Sequence, residues 1–156
     1  MTDPRGHLQF LKPTKNWLNP GEYLPDANRF ADGRLRSIPA ARLCMFLFFI
    51  DTECEPCGPA LNMLYEALSE HDLPAVLLVA APEDKKFDII RTAFEGKAEL
   101  HRCDMKEMKR LFGTGATPWG YGINAVGQIV TSSVCGSRSE FAALTRPFRR
   151  LIGATV

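Results

Sequence analysis

No run of apolar residues in this 156-residue chain approaches the 18 to 20 that a membrane-spanning helix requires. The apolar stretch at residues 43–50 is too short for that, and its Phe and Leu content is typical of a buried strand. An excess of one charge is also lacking, because the net charge is +1. Nothing in the composition therefore calls for nucleic acid or an anionic membrane as a partner.

A secretory leader is not evident either, since residues 1–20 are largely polar and contain no apolar core segment. Five cysteines are an odd number for a secreted domain held together by disulfides. Cys44, Cys103 and Cys135 lie in or beside apolar segments, which predicts small buried or edge side chains. Three spare thiols favour a reducing compartment. We expect a cytoplasmic protein; the alternative is a soluble extracytoplasmic domain from which an anchor or signal has been removed.

The most informative feature is Cys54-Glu55-Pro56-Cys57, which directly follows the apolar segment. Two residues between cysteines place both sulfurs at the first turn of a helix, within reach of a disulfide. The helix start offers unpaired N–H groups and the positive end of the helix dipole, and both favour a thiolate. The pattern indicates a thiol–disulfide redox site. It is also compatible with half of a zinc site.

Alternating strand and helix signals predict one α/β domain with a mixed sheet, preceded by a loosely ordered tail at residues 1–19. Asp32-Gly33 predicts a hairpin near the start of the domain. Further strands are predicted at 75–80, 98–103, 121–125 and 128–134, and helices at 83–94 and 104–111. A final helix begins near Ser137 and is kinked by Pro147.

Two helix features are specific enough to be checked. The helix after the cysteines has an apolar stripe at spacing i, i+3, i+4, i+7, which predicts the side facing the core: Leu61, Leu64, Tyr65 and Leu68. Asp104 three residues before Glu107, and Ser137 three residues before Glu140, predict N-terminal caps for the two helices that follow.

The order of these elements over residues 21–152 resembles the thioredoxin fold. The expected architecture is a three-layer sandwich with a mixed central sheet, an N-terminal hairpin and an extra helix–strand insertion between residues 83 and 103. Within that fold the chain is similar to TlpA/ResA-type thiol–disulfide oxidoreductases, and also to the disulfide proteins of methylamine dehydrogenase maturation. The Glu-Pro dipeptide between the cysteines and the segment Ala116-Thr117-Pro118-Trp119-Gly120 carry this resemblance.

The resemblance implies that Cys54 is the exposed nucleophile and Cys57 the buried resolving thiol. Pro118 would be cis, and the backbone of Thr117 would lie beside the sulfurs, where an extended client peptide can pair with it. Trp119 would either shape that peptide groove or pack as an edge aromatic. The implied partners are a protein disulfide or dithiol substrate and a redox partner protein, and no cofactor is required.

Several positions depart from that family pattern. Glu53 stands where many members have Trp before the first cysteine. Together with Glu55 it adds negative charge that disfavours a thiolate, so we expect Cys54 to be less acidic than in oxidising relatives. Phe48 and Ala60 occupy the two places where relatives carry an acidic proton acceptor. Glu53 is one replacement, although a solvated rim position is the simpler interpretation. With Pro56, these acids are expected to modulate the site.

Two other functions remain open. A binding or assembly module of the same fold would hold a partner with weak or no redox turnover, and the missing acids favour it. A metal site would use soft ligands such as Cys54, Cys57, His101 and Cys103. No second CxxC or HxxxH accompanies them, so we expect no metal.

Overall fold

The computed structural model describes residues 16–25 and 43–152 of the chain. The hairpin predicted at Asp32-Gly33 lies outside these residues. A five-stranded sheet forms the centre of the described part, in the order β3-β2-β1-β4-β5. β1 pairs in parallel with β2, and β2 with β3, whereas β1–β4 and β4–β5 are antiparallel. The strands are β1 Cys44–Asp51, β2 Ala75–Ala80, β3 Glu99–Arg102, β4 Trp119–Asn124 and β5 Ile129–Val134.

Helices connect and cover these strands. They are α1 Cys57–Glu70, α2 Asp84–Ala93, α3 Met105–Phe112, α4 Arg138–Thr145 and α5 Arg149–Ile152. The predicted kink at Pro147 is confirmed, because a 3₁₀ turn at Arg146–Phe148 separates α4 from α5. In the described ranges no helix is both long and apolar enough to cross a membrane.

Strand β1 is buried on both faces, as its sequence predicts. Phe46, Phe48 and Ile50 point into a core that α1, α2 and α4 cover. Alternate residues such as Leu47 and Phe49 point into a second core closed by α3. Side chains of a strand alternate between its two faces, so one apolar strand supplies both cores. The three-layer α/β sandwich and its mixed sheet are confirmed.

The predicted apolar stripe of α1 is partly wrong. Leu64 and Leu68 are buried, but Tyr65 is 43% exposed and Leu61 is only partly buried. The side facing the core is rotated by about one position toward a set that includes small residues: Cys57, Ala60, Met63, Leu64, Ala67 and Leu68. Tyr65 instead contacts Phe94, edge to face, at the end of α2. The hydrophobic periodicity predicted that α1 has a buried side. Packing against the neighbouring elements determines which residues lie at the centre of that side.

Both predicted helix caps are confirmed. The side chain of Asp104 accepts a hydrogen bond from the amide of Glu107, and that of Ser137 accepts one from the amide of Glu140. Each cap satisfies an N–H group that has no partner within its helix. The sequence thus sets where α3 and α4 begin.

The sheet topology brings several loops to one edge. Because β1, β2 and β3 are parallel, their carboxyl ends lie at the same edge of the sheet. The cysteine pair follows β1 at this edge, and the loop before β4 reaches it from the antiparallel side. Open α/β sheets commonly carry their functional groups at this position.

Candidate functional site

A disulfide joins Cys54 and Cys57, with their Cα atoms 5.3 Å apart. The two sulfur-bearing residues differ in accessibility: Cys57 is 1% exposed and packs in the core, whereas Cys54 is only partly buried. An incoming thiolate or disulfide can therefore reach Cys54 and not Cys57.

Helix α1 begins at Cys57, so Cys54 lies in the turn before the helix rather than on its first turn. The N–H groups of Cys57 and Gly58 donate to the carbonyl oxygens of Cys54 and Glu55, at 3.1 and 3.4 Å. The following residue, Pro59, has no N–H to offer. The N–H groups that we expected to be free to stabilise a Cys54 thiolate are therefore largely occupied. The helix dipole is the remaining influence that favours the thiolate over the thiol.

The loop before β4 contacts the disulfide. Sγ of Cys54 lies 3.6 Å from the carbonyl oxygen of Thr117, and the peptide bond between Thr117 and Pro118 is cis. In the disulfide this sulfur carries no proton, so the approach is a contact; after reduction the thiol can donate to that oxygen. Pro118 is buried and Thr117 is partly exposed. The structure thus brings together four residues that the sequence singled out.

Trp119 points away from these residues. Its ring packs against the core on the α3 side of the sheet and stacks on Trp17, with ring centroids 4.7 Å apart. Its indole Nε1 donates to the hydroxyl of Ser132. The cysteine-bearing helix covers the other face of the sheet. These contacts agree with packing against the edge strand, and a role for Trp119 in a peptide groove remains a prediction.

Acidic side chains flank the partly exposed Cys54. Glu53 and Glu55 are exposed on either side of Cys54. The carboxylate of Glu53 accepts a hydrogen bond from Lys86 at 3.3 Å. This hydrogen bond raises the pKa of the Lys86 ammonium. Pro56, the remaining residue of the motif, is exposed and precedes the first turn of α1.

A cavity of about 560 Å³ opens beside this turn, at the carboxyl ends of the parallel strands. Four of its lining residues are acidic: Asp51, Glu53, Asp104 and Glu107. The cation in the lining, Arg102, donates to the carbonyl oxygens of Ala81 and Pro82 and to the carboxylate of Asp84. Its charge is therefore already paired with Asp84, so the side chains that line this cavity are mainly acidic.

The two positions at which the resemblance implied an acidic proton acceptor hold fully buried apolar side chains, because Phe48 and Ala60 are both 0% exposed. Sequence reasoning missed Asp51, whose amide N–H donates to Sγ of Cys57 at 3.5 Å. This contact is made by the backbone at the end of β1, so no side-chain pattern in the sequence signals it.

The other cysteines lie apart from the disulfide as buried free thiols. Burial raises the pKa of Cys44, and it raises those of Cys103 and Cys135 to about 12. Across residues 16–25 and 43–152, no three His, Cys, Asp or Glu side chains form a group that could hold a metal ion. His101, one of the ligands considered above, instead contacts Glu99 at 2.8 Å.

Solved structures with the same arrangement of strands and helices carry names from disulfide chemistry. A candidate thiol:disulfide interchange protein DsbE from Chlorobium tepidum is 18% identical, with a TM-score of 0.62 over 87% of this chain and 99% of that one. A thio-disulfide isomerase from Thermus thermophilus is 19% identical, with a TM-score of 0.57 over 83% and 96%. This chain has the thioredoxin fold.

A third example of the thioredoxin fold is the thioredoxin domain of a thiol-disulfide oxidoreductase from Bacteroides vulgatus. It is 16% identical, with a TM-score of 0.54 over 84% of this chain and 98% of that domain. No protein-family model and no curated protein matches the sequence. The predicted thioredoxin fold is confirmed, and at these identities the similarity is one of fold.

Proposed function

We propose that this protein is a thiol–disulfide oxidoreductase that exchanges electrons with protein disulfides through Cys54 and Cys57. The observation that carries the proposal is the disulfide between one accessible and one fully buried sulfur at the carboxyl end of β1. A purely structural disulfide does not require one accessible and one buried sulfur. A redox pair does require them, because the client reacts at the accessible sulfur and the buried sulfur resolves the mixed disulfide.

In the proposed reaction, the Cys54 thiolate attacks a client disulfide and forms a mixed disulfide, releasing one client thiolate. Cys57 then attacks Sγ of Cys54, and the second client sulfur leaves with the electron pair of the broken bond. The client gains two electrons and the cysteine pair loses two. A redox partner protein reduces the pair again, and the same steps in reverse oxidise a client dithiol.

Thr117 supports the proposal by its position, because its carbonyl oxygen lies beside Cys54 in a partly exposed loop. An extended client segment could pair with this backbone while its disulfide reaches the sulfur. Pro118 would hold the loop in place, and Trp119 would act from the adjacent edge of β4. Glu53, Glu55 and Pro56 would tune the reactivity of Cys54. The chemistry needs no cofactor or metal.

Reduction of insulin disulfides in the presence of dithiothreitol tests this function. We expect the wild-type protein to accelerate precipitation of the insulin B chain, and Cys54→Ser to abolish the acceleration. Cys44→Ala is the matched control, since it removes a buried free thiol at the opposite end of β1. A wild-type rate equal to that of Cys54→Ser would rule the function out.

The second candidate is a binding or assembly module with weak redox turnover. The absence of an acid at Phe48 and Ala60 favours it. A Cys57→Ser variant separates the two candidates, because it cannot resolve a mixed disulfide. Adducts on Cys54 that dithiothreitol cleaves indicate exchange chemistry, whereas complexes that persist in dithiothreitol indicate a binding or assembly module.

The compartment belongs to the same proposal. We favour the cytoplasm and keep a soluble extracytoplasmic domain as the alternative. The equilibrium redox potential of the Cys54–Cys57 pair against glutathione tests this choice together with the direction of electron flow. A potential well below that of the cytosolic glutathione pool fits a reductant, and a much higher one fits an oxidant or isomerase of an oxidising compartment.

A further inference from the structure

The proposed exchange requires that the loop before β4 is held in place. This loop, residues 113–118, carries the carbonyl oxygen of Thr117, which lies 3.6 Å from Sγ of Cys54. If a client segment pairs with the backbone of Thr117, a shift of the loop misplaces the client relative to the sulfur. Strand β5 leads to one attachment, because the amide of Cys135 donates to the carbonyl oxygen of Pro118 at 3.2 Å. The contacts that hold the residues before Thr117 come from elsewhere in the chain.

A buried hydroxyl group connects the loop to the segment at residues 16–25. Tyr121 on β4 is 0% exposed, and its hydroxyl accepts a hydrogen bond from the amide of Leu18 at 2.9 Å. The same hydroxyl also pairs with the side chain of Thr114. Burial raises the pKa of Tyr121 to about 12, so the group is protonated at neutral pH and can donate as well as accept. One hydroxyl therefore joins two parts of the chain that are far apart in sequence.

Thr114 connects the Tyr121 hydroxyl to the residue before Thr117. It is 0% exposed, although it lies in a loop. Its hydroxyl accepts a hydrogen bond from the amide of Ala116 at 3.1 Å and lies 3.3 Å from the carbonyl oxygen of the same residue. Moving the loop would separate these buried polar groups from their partners, which costs free energy. The hydroxyl pair therefore restrains the backbone that leads into Thr117.

The residues next to the Leu18 amide contact the same loop. The carbonyl oxygen of Asn16 accepts a hydrogen bond from the amide of Gly115 at 2.8 Å. The Leu18 side chain packs over Gly113, where an added methyl carbon would lie only 2.7 Å from it. The same short segment thus holds two further positions of the loop.

We propose that Tyr121 and Thr114 are positioning residues of the redox site, and that residues 16–18 belong to that site through them. This inference rests on the proposed function. The hydroxyl pair fixes the loop so that the Thr117 backbone meets an extended client while Sγ of Cys54 reaches the client disulfide. Neither hydroxyl takes part in electron transfer. Their effect is on how a polypeptide client is bound and oriented, and not on the reactivity of the sulfur.

Two disulfides that react at the same sulfur separate orientation from reactivity. Insulin presents a polypeptide backbone to the loop, whereas hydroxyethyl disulfide has none. The reduced protein is mixed with an excess of either compound, quenched with acid, alkylated and analysed by mass spectrometry. The measured quantity is the ratio of the two second-order rate constants for oxidation of the Cys54–Cys57 pair. Both reactions use the Cys54 thiolate, so a change in its ionisation cancels from the ratio.

We expect Tyr121→Phe and Thr114→Val to lower the ratio of the insulin rate to the hydroxyethyl disulfide rate. The expected fall is about two- to tenfold, the factor in an equilibrium constant that one hydrogen bond contributes. Thr114→Ser keeps the hydroxyl and should restore the wild-type ratio. A restored ratio in Thr114→Ser would assign the effect to the hydroxyl, because Val and Ser both replace the native side chain.

Two controls separate positioning from a loss of stability. Tyr65→Phe removes the hydroxyl of a 43% exposed tyrosine on α1. Ile123→Val removes a buried methylene group from β4 and lowers stability without removing a hydrogen-bonding group. We expect both variants to keep the wild-type ratio. An unchanged ratio in Tyr121→Phe, an equal fall in Ile123→Val, or a Thr114→Ser ratio as low as that of Thr114→Val would overturn the inference.

The same measurement keeps this inference apart from the proposed function. If both disulfides leave wild-type Cys54 and Cys57 reduced, the exchange chemistry itself fails. If the wild type reacts with both and Tyr121→Phe has the wild-type ratio, only the positioning role fails. Hydrogen exchange adds a direct readout of the loop, since the Gly115 amide should exchange faster in Tyr121→Phe than in Tyr65→Phe. Equal exchange rates in these two variants would show that the hydroxyl does not hold the loop.

Discussion

Trp17 stacks on Trp119 with ring centroids 4.7 Å apart and an angle of 24° between the planes. Beside this pair, the amide of Leu18 donates to the buried hydroxyl of Tyr121 at 2.9 Å. The segment at residues 16–25 is thereby attached to β4, directly after the loop that contacts Cys54. The indole ring next to Pro118 is thus fixed from the side of the sheet opposite α1.

We expect Trp17→Ala to lower the free energy of unfolding by about 1–2 kcal/mol, since stacked aromatic pairs contribute about 0.5–1.5 kcal/mol beyond the buried area. Urea denaturation followed by circular dichroism measures the change. Tyr23→Ala is the control, because this side chain is 60% exposed. Equal midpoints for Trp17→Ala and Tyr23→Ala would contradict a stabilising role for the stack.

The negative charge around Cys54 should make the reduced protein discriminate between charged disulfides. We expect cystamine, which is cationic, to react faster than the anionic dithiodiglycolate, with the neutral hydroxyethyl disulfide between them. The preference should shrink in Glu55→Gln and at high salt, because exposed charges are screened within about 8–10 Å. Stopped-flow rates at two ionic strengths provide the measurement. A preference that is independent of salt would show that charge is not its cause.

The buried free thiols should be inert in the native protein. With pKa values of about 12, Cys103 and Cys135 carry a thiolate fraction on the order of one in ten thousand at pH 8. After reduction, we expect iodoacetamide at pH 8 to label Cys54 first and to reach Cys103 and Cys135 only when the protein unfolds. Mass mapping with and without urea measures this. Early native-state labelling of Cys135 would contradict its burial.

The cap on α3 should make stability depend on pH. The amide of Glu107 holds the pKa of Asp104 below its usual range. Because the folded-state pKa of Asp104 is lower than the unfolded value of about 3.9, the ionised cap stabilises the folded state at pH values above about 3.9. This contribution is lost as the pH falls through the folded-state pKa. At pH 7 we expect Asp104→Ala to have a lower urea midpoint than the wild type, whereas Asp104→Asn stays close to it.

In acid the order should change. As Asp104 becomes protonated, the wild-type midpoint should approach that of Asp104→Ala, and Asp104→Asn should keep its uncharged cap. Urea titrations at pH 7 and pH 2.5 make the comparison. A constant difference between the wild type and Asp104→Ala at both pH values would exclude the ionised cap as the cause.

Gly122 allows close packing on the face of β4 that lies on the same side of the sheet as α1. A methyl group there would collide with the Phe148 ring and the Thr131 hydroxyl. We expect Gly122→Ala to destabilise the protein by about 1–3 kcal/mol, the usual cost of overpacking. Gly58→Ala is the control, since its added methyl meets nothing and Ala favours the helix by about 0.5–1 kcal/mol. An unchanged free energy of unfolding in Gly122→Ala would mean that α4 and the 3₁₀ turn shift freely to accommodate the added methyl group.

Local features of the fold were predictable because they depend on neighbours in sequence. The caps at Asp104 and Ser137 follow from side chains that reach an amide three residues away. The buried strand β1 follows from an apolar run with no polar face. The exposure of Tyr65 was not predictable in the same way, since the position of α2, which decides it, is set by long-range packing.

The sequence by itself determined the two cysteines, their spacing and the strand before them, because these are properties of a few consecutive residues. Only the tertiary structure decided that Thr117 lies against Cys54, 63 residues away, and that Trp119 faces the opposite layer. It also decided that the backbone amide of Asp51 contacts the sulfur of Cys57. Pairing between β1 and β4 and the packing of three helices on one face of the sheet fix these neighbours. No local pattern encodes distances across a sheet.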